Sequence, residues 1–260
     1  MNANTQTTNN QTISMNQNNS NHKENAMKEN TTNNVIETLG ACIIVDQSAN
    51  IVHISHPEPE RMIEDTARIC YRGQDRIGED TAEPLVRKLD ASGHETPFEF
   101  VDVVVDVTTD LNTSHQLVRH RLCSFMQESK RYTSLEDECR FVKPVGLLEG
   151  TPQYEVWIKH CMAAYDAYME LRSYDCRMQE ARRVLPGSLA TTLRIKANIR
   201  EWRHILKLRC HASADPQMRR LMLDLAEQLH ERLPLFFPAV NAEDEAIAEP
   251  VEPIPEPELD

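Results

Sequence analysis

Apolar positions concentrate between about residues 36 and 238, and the stretches on either side are polar. Residues 41–45 (ACIIV) and 51–55 (IVHIS) form two short apolar runs across a polar turn, the pattern of a pair of strands. EPERMIEDTARIC (58–70), entered just after Pro57, predicts a helix, and a second is predicted over about 83–91. FEFVDVVVDVTTD (98–110) is rich in β-branched residues with partial alternation and predicts a strand. Residues 111–125 predict a helix capped by Asn112, Thr113 or Ser114, with QESKRY (127–132) leaving it as a loop.

The second half of the chain reads as mostly helical. One long segment runs from about 153 to 183, until Pro186 and Gly187 interrupt it. Ser188 is placed to cap a further helix, SLATTLRIKANIREWRHILKLR (188–209). Pro216 opens a last helix whose Met218, Leu221, Met222, Leu225, Leu229 and Leu233 recur at helical spacing, a stripe best explained as core packing. Strands followed by helices predict an α+β fold, an antiparallel sheet with a largely helical C-terminal half, rather than alternating βαβ units. The expected domain spans 35–238. Residues 1–34, rich in Asn, Gln and Thr, and 239–260, rich in Pro and Glu, are expected to be disordered tails. The first tail lacks the arginines of an organelle-targeting peptide.

Charge changes this picture only at one end. The net charge is −13, and residues 241–260 hold eight acids and no base, so the rest of the chain stands at −5. Such a balance gives no long-range attraction to nucleic acid or to an anionic membrane, and neither is expected as a partner. No apolar run approaches the roughly 20 residues of a membrane span. Seven scattered cysteines, an odd number with no CxxC spacing and no signal peptide, predict a reducing, cytoplasmic compartment and mostly structural thiols.

One stretch stands apart. RHRLCSFMQESKRY (119–132) sets nine hydroxyl, amide or charged side chains among fourteen residues, near the middle of the chain. Arginine presents five donors in a fixed fork that suits phosphate and carboxylate. Further arginines, Arg182, Arg183, Arg200 and Arg209, lie beside apolar residues downstream. GxGxxG and GxxxxGK[ST] loops are absent, so side chains must supply the contacts to any phosphorylated ligand. His94, His115, His120, His204 and His211 form no HExxH or other metal spacing, and no metal is expected. Cys123 and Cys210 each have a histidine nearby, which does not by itself make a nucleophile. The residues alone describe an α+β protein that binds a small anion, with enzyme and regulatory binding module both open.

The same stretch carries a resemblance. Arg119-His120-Arg121, then seven residues, then Ser129, matches the signature of the flavin-dependent thymidylate synthases, a family unrelated in fold to the cysteine-using thymidylate synthases. GHETPFEF (93–100) resembles that family's GHxTPFEH segment, ARRVLP (181–186) its ARxVLP, NIREWRHILKLR (198–209) with ADPQMR its later helix, and TARICY (66–71) its early ARxS segment. The likeness runs in order over roughly residues 40–236.

The resemblance implies a homotetramer that methylates dUMP to dTMP, with its active sites between subunits. The carbon donor would be 5,10-methylenetetrahydrofolate, the hydride carrier FAD reduced by NADPH, and tetrahydrofolate a product. It implies that Gln116, Arg119, Gln127, Glu128, Ser129, Arg131, Arg182 and Arg209 hold dUMP. Arg209 lies near N3 and O2 of the pyrimidine in this reading and acts as the catalytic residue. It implies that Cys70, His94, Thr96, Arg119, His120, Arg121, Gln127, Asn198, Arg200 and His204 surround FAD. Departures from the family pattern fall at Met126-Gln127 (usually Asn-Glu), Phe100 (usually His), Cys70 (often Ser), Ser213 (a position that can hold His) and His204 (frequently Asn). A rival reading is a catalytically inactive dUMP- and flavin-binding regulatory protein. Another is a flavin-dependent uracil methyltransferase with a nucleotide or tRNA acceptor.

Overall fold

A computed structural model describes residues 35–240. The N-terminal tail and all but two residues of the acidic tail, both expected to be disordered, lie outside the described residues.

The chain forms two sheets. The smaller joins β1 (Val35–Leu39), β2 (Cys42–Val45) and β6 (Cys139–Val142), with β1 antiparallel and β6 parallel to β2. The larger has the order β3 (Ser48–Ile54), β4 (Asp102–Asp110), β7 (Ala190–Asn198), β5 (Ser124–Gln127), antiparallel throughout. An isolated bridge between Phe141 and Leu189 links the two. The helices are α1 (Pro59–Ile69), α2 (Ala82–Ala91), α3 (Leu111–Leu117), α4 (Pro152–Ser173), α5 (Met178–Ala181), α6 (Ile199–Arg209) and α7 (Pro216–Arg232).

Alternation sets the larger sheet. Val103, Val105 and Val107 of β4 and Leu193, Ile195 and Ala197 of β7 are buried on one face. On the other face Asp106 accepts two bonds from Arg194, at 2.6 and 2.7 Å, and Asp102 accepts one from Lys196 at 3.0 Å. The directly opposed pair Asp106–Arg194 and the diagonal contact of Lys196 with Asp102 fix the register of β4 on β7. The apolar face packs on the predicted stripe of α7 and on Trp202 and Ile205 of α6. The smaller sheet packs on α4, whose Tyr154, Ile158, Cys161, Tyr165 and Tyr168 repeat at intervals of four and three.

The α+β class holds, with two differences: β2 and β6 run parallel, and the C-terminal half contributes β7, an internal strand of the larger sheet. Several boundaries also move. The two runs at 41–55 enter different sheets rather than pairing with each other. The 98–110 strand begins at Asp102, because Thr96–Phe100 winds into a 3-10 turn. The 111–125 helix ends at Leu117, and its cap is Asp110, which accepts from the Thr113 amide at 2.9 Å. The 153–183 helix stops at Ser173, where Asp175 turns left-handed (φ 59°) ahead of Pro186-Gly187. Most of the helix expected from Ser188 is instead strand β7, and Asn198 caps α6. The strands β1, β5 and β6 have no counterpart among the elements predicted from the sequence, and β5 takes up the end of the expected helix and Gln127 of the expected loop. Among the described residues no helix is long and apolar enough to cross a membrane.

Candidate functional site

The strand-to-helix passages β4–α3 and β7–α6 make the site, and both lack a loop. Asp110 and Asn198 each end a strand and cap the helix that follows, Asn198 accepting from the Glu201 amide at 2.9 Å. The adjacent pairing of β4 and β7 therefore brings the start of α3 close to β7. The turn after α3 carries the arginine-histidine-arginine motif, and the last residue of α6 is Arg209.

Arg209 and His120 meet there. The Arg209 Nε donates to His120 Nε2 at 3.0 Å, and its two terminal nitrogens reach the Gln116 side-chain oxygen at 3.4 Å and backbone oxygen at 3.2 Å. A guanidinium held on three acceptors has little rotational freedom. His120 is buried, Glu201 Oε1 lies 3.9 Å from its Nδ1, and the His204 ring stands edge-on at 6.3 Å. Burial, then the charges of Arg209 and His204, lower the His120 pKa to about 4. Burial raises that of Glu201, with His204 opposing. Burial, then Glu201, pushes the Cys123 thiol up to about 12, so this cysteine carries no thiolate at neutral pH.

The lowered imidazole gives a stability prediction. Above pH 6.5 His120 is neutral both folded and unfolded. Below it the unfolded chain takes up a proton that the folded chain refuses, so stability falls between pH 6.5 and about 4. At 1.36 kcal/mol per unit the loss is about 3 kcal/mol. Urea unfolding across this range should show that slope in the wild type and a shallower one in His120→Gln. Equal slopes would remove His120 as the cause.

The other residues picked out from the sequence divide into groups. Asn198, Arg200 and His204 line a cleft of about 920 Å³ beside α6, together with Lys207 and the apolar Leu122, Leu206 and Phe237. Its rim includes Glu95 and Glu99, which hold Arg200 at 3.5 and 2.5 Å. His94 and Thr96 belong to that same rim segment and are exposed, and Gly93 before them takes the left-handed conformation (φ 68°) that its turn needs. Arg119 and Arg121 are exposed beside Leu122, while Cys70 is exposed at the end of α1 and outside the cleft lining.

Gln127, the last residue of β5, donates to Ser114 Oγ at 3.3 Å and Thr191 Oγ1 at 3.2 Å. A carboxylate there could not donate both bonds, which gives the Gln127 departure a local reason. Glu128 pairs with a largely buried Lys130 at 2.8 Å. Ser129 and Arg131 sit exposed on the following turn, and Arg182 is half-buried in the 3-10 turn Arg182–Val184. Among the described residues no hydrogen bond joins Ser129, Arg131 and Arg182 to one another or to Arg209. Sequence reasoning did not single out Glu201 or Lys207. Glu201 carried a signal, an acid on the apolar side of an amphipathic helix.

Comparison with known proteins places this geometry. The family model described as thymidylate synthase complementing protein matches residues 51–235. A flavin-dependent thymidylate synthase from Mycolicibacterium vanbaalenii is 29% identical over 194 residues, 68% of this chain and 77% of the relative. One from Pyrococcus furiosus is 28% identical over 176 residues, 64% and 72% of the two chains. The crystal structure of the UMP/dUMP methylase PolB from Streptomyces cacaoi, bound with 5-Br dUMP, superposes with a TM-score of 0.63. It is 23% identical and covers 74% of this chain and 93% of its own, so it shares the fold.

Proposed function

This chain belongs to the thymidylate synthase complementing protein family, and we propose that it is a flavin-dependent thymidylate synthase. The reaction is the reductive methylation of dUMP to dTMP, with 5,10-methylenetetrahydrofolate as carbon donor, FAD reduced by NADPH as hydride carrier, and tetrahydrofolate released. The observation that carries this reading is Arg209, fixed on three acceptors between the arginine-histidine-arginine turn and the end of α6.

Uracil C5 is a weak nucleophile. Its attack on the one-carbon unit is eased when the negative charge building on the ring is stabilised. Arg209, beside N3 and O2 of the base, supplies a pre-oriented positive charge there. Gln116 keeps the guanidinium in place. Ser129, Arg131 and Arg182 take the phosphate, through charge-assisted bonds that also orient the base. No covalent enzyme nucleophile is required.

The cleft beside α6 fits FAD in size and character. Its volume lies toward the upper end of ligand pockets, Lys207 offers positive charge to a pyrophosphate, Arg200 would have to exchange its bonds to Glu95 and Glu99 to add its own, and Leu122, Leu206 and Phe237 offer apolar surface to a ring. Asn198, Arg200 and His204 would hold the group from this side. When bound and reduced, FAD supplies the hydride.

We place the complete site between subunits of a homotetramer. Two observations support that placement: Cys70 lies outside the cleft of its own chain, and Tyr71, Leu122, Met126 and Tyr132 expose large apolar surfaces near the motif segments. The seven free cysteines support a reducing, cytoplasmic setting.

The test is turnover. Protein loaded with FAD and reduced anaerobically by NADPH is given dUMP and 5,10-methylenetetrahydrofolate. Stoichiometric dTMP and tetrahydrofolate with flavin reoxidation is the expected result. A yellow protein that binds dUMP and makes no dTMP would be the inactive regulatory binder instead. In the same assay Cys123→Ala should keep turnover within about twofold of wild type, because its thiol is protonated at working pH. A folded, flavin-loaded variant without turnover would show that the thiol takes part.

A further inference from the structure

Glu201 is a buried carboxylate on the wall of the cleft beside α6 to which the proposed chemistry gives no role. Acids are rarely buried without a partner, and among the described residues Glu201 pairs with no lysine or arginine. Its backbone is pinned by the Asn198 cap at 2.9 Å, and its side chain faces His120 Nδ1 at 3.9 Å.

The proton on His120 can be located from its other neighbour. Arginine Nε–H only donates, and it sits 3.0 Å from His120 Nε2. Nε2 presents its lone pair to that donor, which puts the ring proton on Nδ1, facing the carboxylate, so that Arg209 and Glu201 hold the same tautomer from its two sides. The opposite tautomer would set N–H against N–H at Arg209 and turn the Nδ1 lone pair toward a negative oxygen. In this buried place both contacts are costly.

We propose that Glu201 is a positioning residue that fixes the tautomer of His120 and, through it, the aim of Arg209. The chain of contacts runs carboxylate, imidazole, guanidinium, with Gln116 steadying the far end. This resembles the way a carboxylate behind a histidine sets which ring nitrogen is free to bind. The inference rests on the proposed role of Arg209 at the pyrimidine, but its structural half does not.

The experiment has two readouts. In full-length, unliganded protein carrying ¹⁵N-histidine, the His120 ring nitrogens are assigned by loss of their signals in His120→Gln. Wild type should show Nδ1–H, Glu201→Leu a shift toward Nε2–H, and Glu201→Gln the wild-type tautomer, because its amide oxygen still accepts. Wild type with Nε2–H would overturn the proposal without any variant, and Nδ1–H retained in Glu201→Leu would do so as well.

The second readout is kinetic. Glu201→Leu should lower kcat by about 10- to 100-fold, with FAD content kept and KM for dUMP changed less than about threefold, and Glu201→Gln should restore kcat. A tautomer shift with unchanged kcat would refute positioning. A tautomer shift in a protein whose wild type makes no dTMP would sink the proposed reaction and leave the link from Glu201 to His120 standing.

Discussion

Arg209→Ala is expected to lower turnover about 100- to 1000-fold while leaving FAD content unchanged, the magnitude seen when one pre-oriented charge is removed from a developing anion. The geometry sets this asymmetry. Arg209 does not line the cleft that holds Asn198, Arg200 and His204, so its loss leaves those flavin contacts in place. It also leaves the buried His120 Nε2 without its donor, a cost of about 1–3 kcal/mol, while the Gln116 carbonyl keeps its bond from the Arg119 amide. Arg209→Lys separates the two effects. It keeps the charge but cannot span His120 and Gln116 together, so it should recover only part of the lost rate. The measurement pairs steady-state dTMP formation with the flavin absorbance per subunit. Equal loss of both in Arg209→Ala would reassign the residue to cofactor assembly.

Trp202→Ala should destabilise the fold by about 3–5 kcal/mol, the range for removing a large buried aromatic. Trp202 is fully buried on α6, within the core of the larger sheet, and its Nε1 donates to the Val103 carbonyl at 3.1 Å. The variant loses the packing and the indole's bond to β4. Because the same helix presents Arg200, His204 and Arg209, flavin content should fall along with the unfolding midpoint. Trp202→Phe keeps most of the volume and loses only the bond, so its loss should be smaller, about 1–3 kcal/mol. Denaturant unfolding of the three proteins gives the comparison. Equal midpoints for wild type and Trp202→Ala would show that α6 is not held through this residue.

The helices with clear boundary signals were legible in the sequence. Pro57 precedes α1, Pro216 opens α7, and the α7 stripe packs as its spacing implied. The misread segment is β7. Ala190, Leu193 and Ala197 satisfy a helical face, and Leu193, Ile195 and Ala197 satisfy a strand equally well. What decides is the partner strand, since Arg194 stands opposite Asp106, and Lys196 reaches Asp102 on the diagonal, only in the strand conformation. That information is non-local. The same cause hid Asp110 and Asn198 as caps: each is a strand end and a helix start at once, with no turn residues between.

The site was legible as a set of segments. The arginine-histidine-arginine motif and NIREWRHILKLR stand together through Arg209 and His120, and Asn198, Arg200 and His204 share one cleft. The contacts inside that set could not be read. Nothing in RHRLCSF states that the histidine, rather than either arginine, turns inward onto Arg209. Nor does a lone glutamate in a helix state that it faces that histidine. Gln127 is similar: only the position of Thr191 on the neighbouring strand shows why an amide suits it.

The pairing of β4 with β7 also governs when the protein can acquire its site. Arg194 and Asp106 are 88 positions apart, and every residue between them is made before the ladder can close. Loop closure of this length adds only modestly to the free-energy cost, but contacts so distant in sequence slow folding. On the ribosome, β4 therefore emerges with one edge unpaired and keeps it open until β7 has left the tunnel. The helix bearing Arg209 follows β7 at once. The guanidinium thus reaches His120 only after the last internal strand of the sheet is in place, and a chain cut short before residue 190 has an open strand edge and no site.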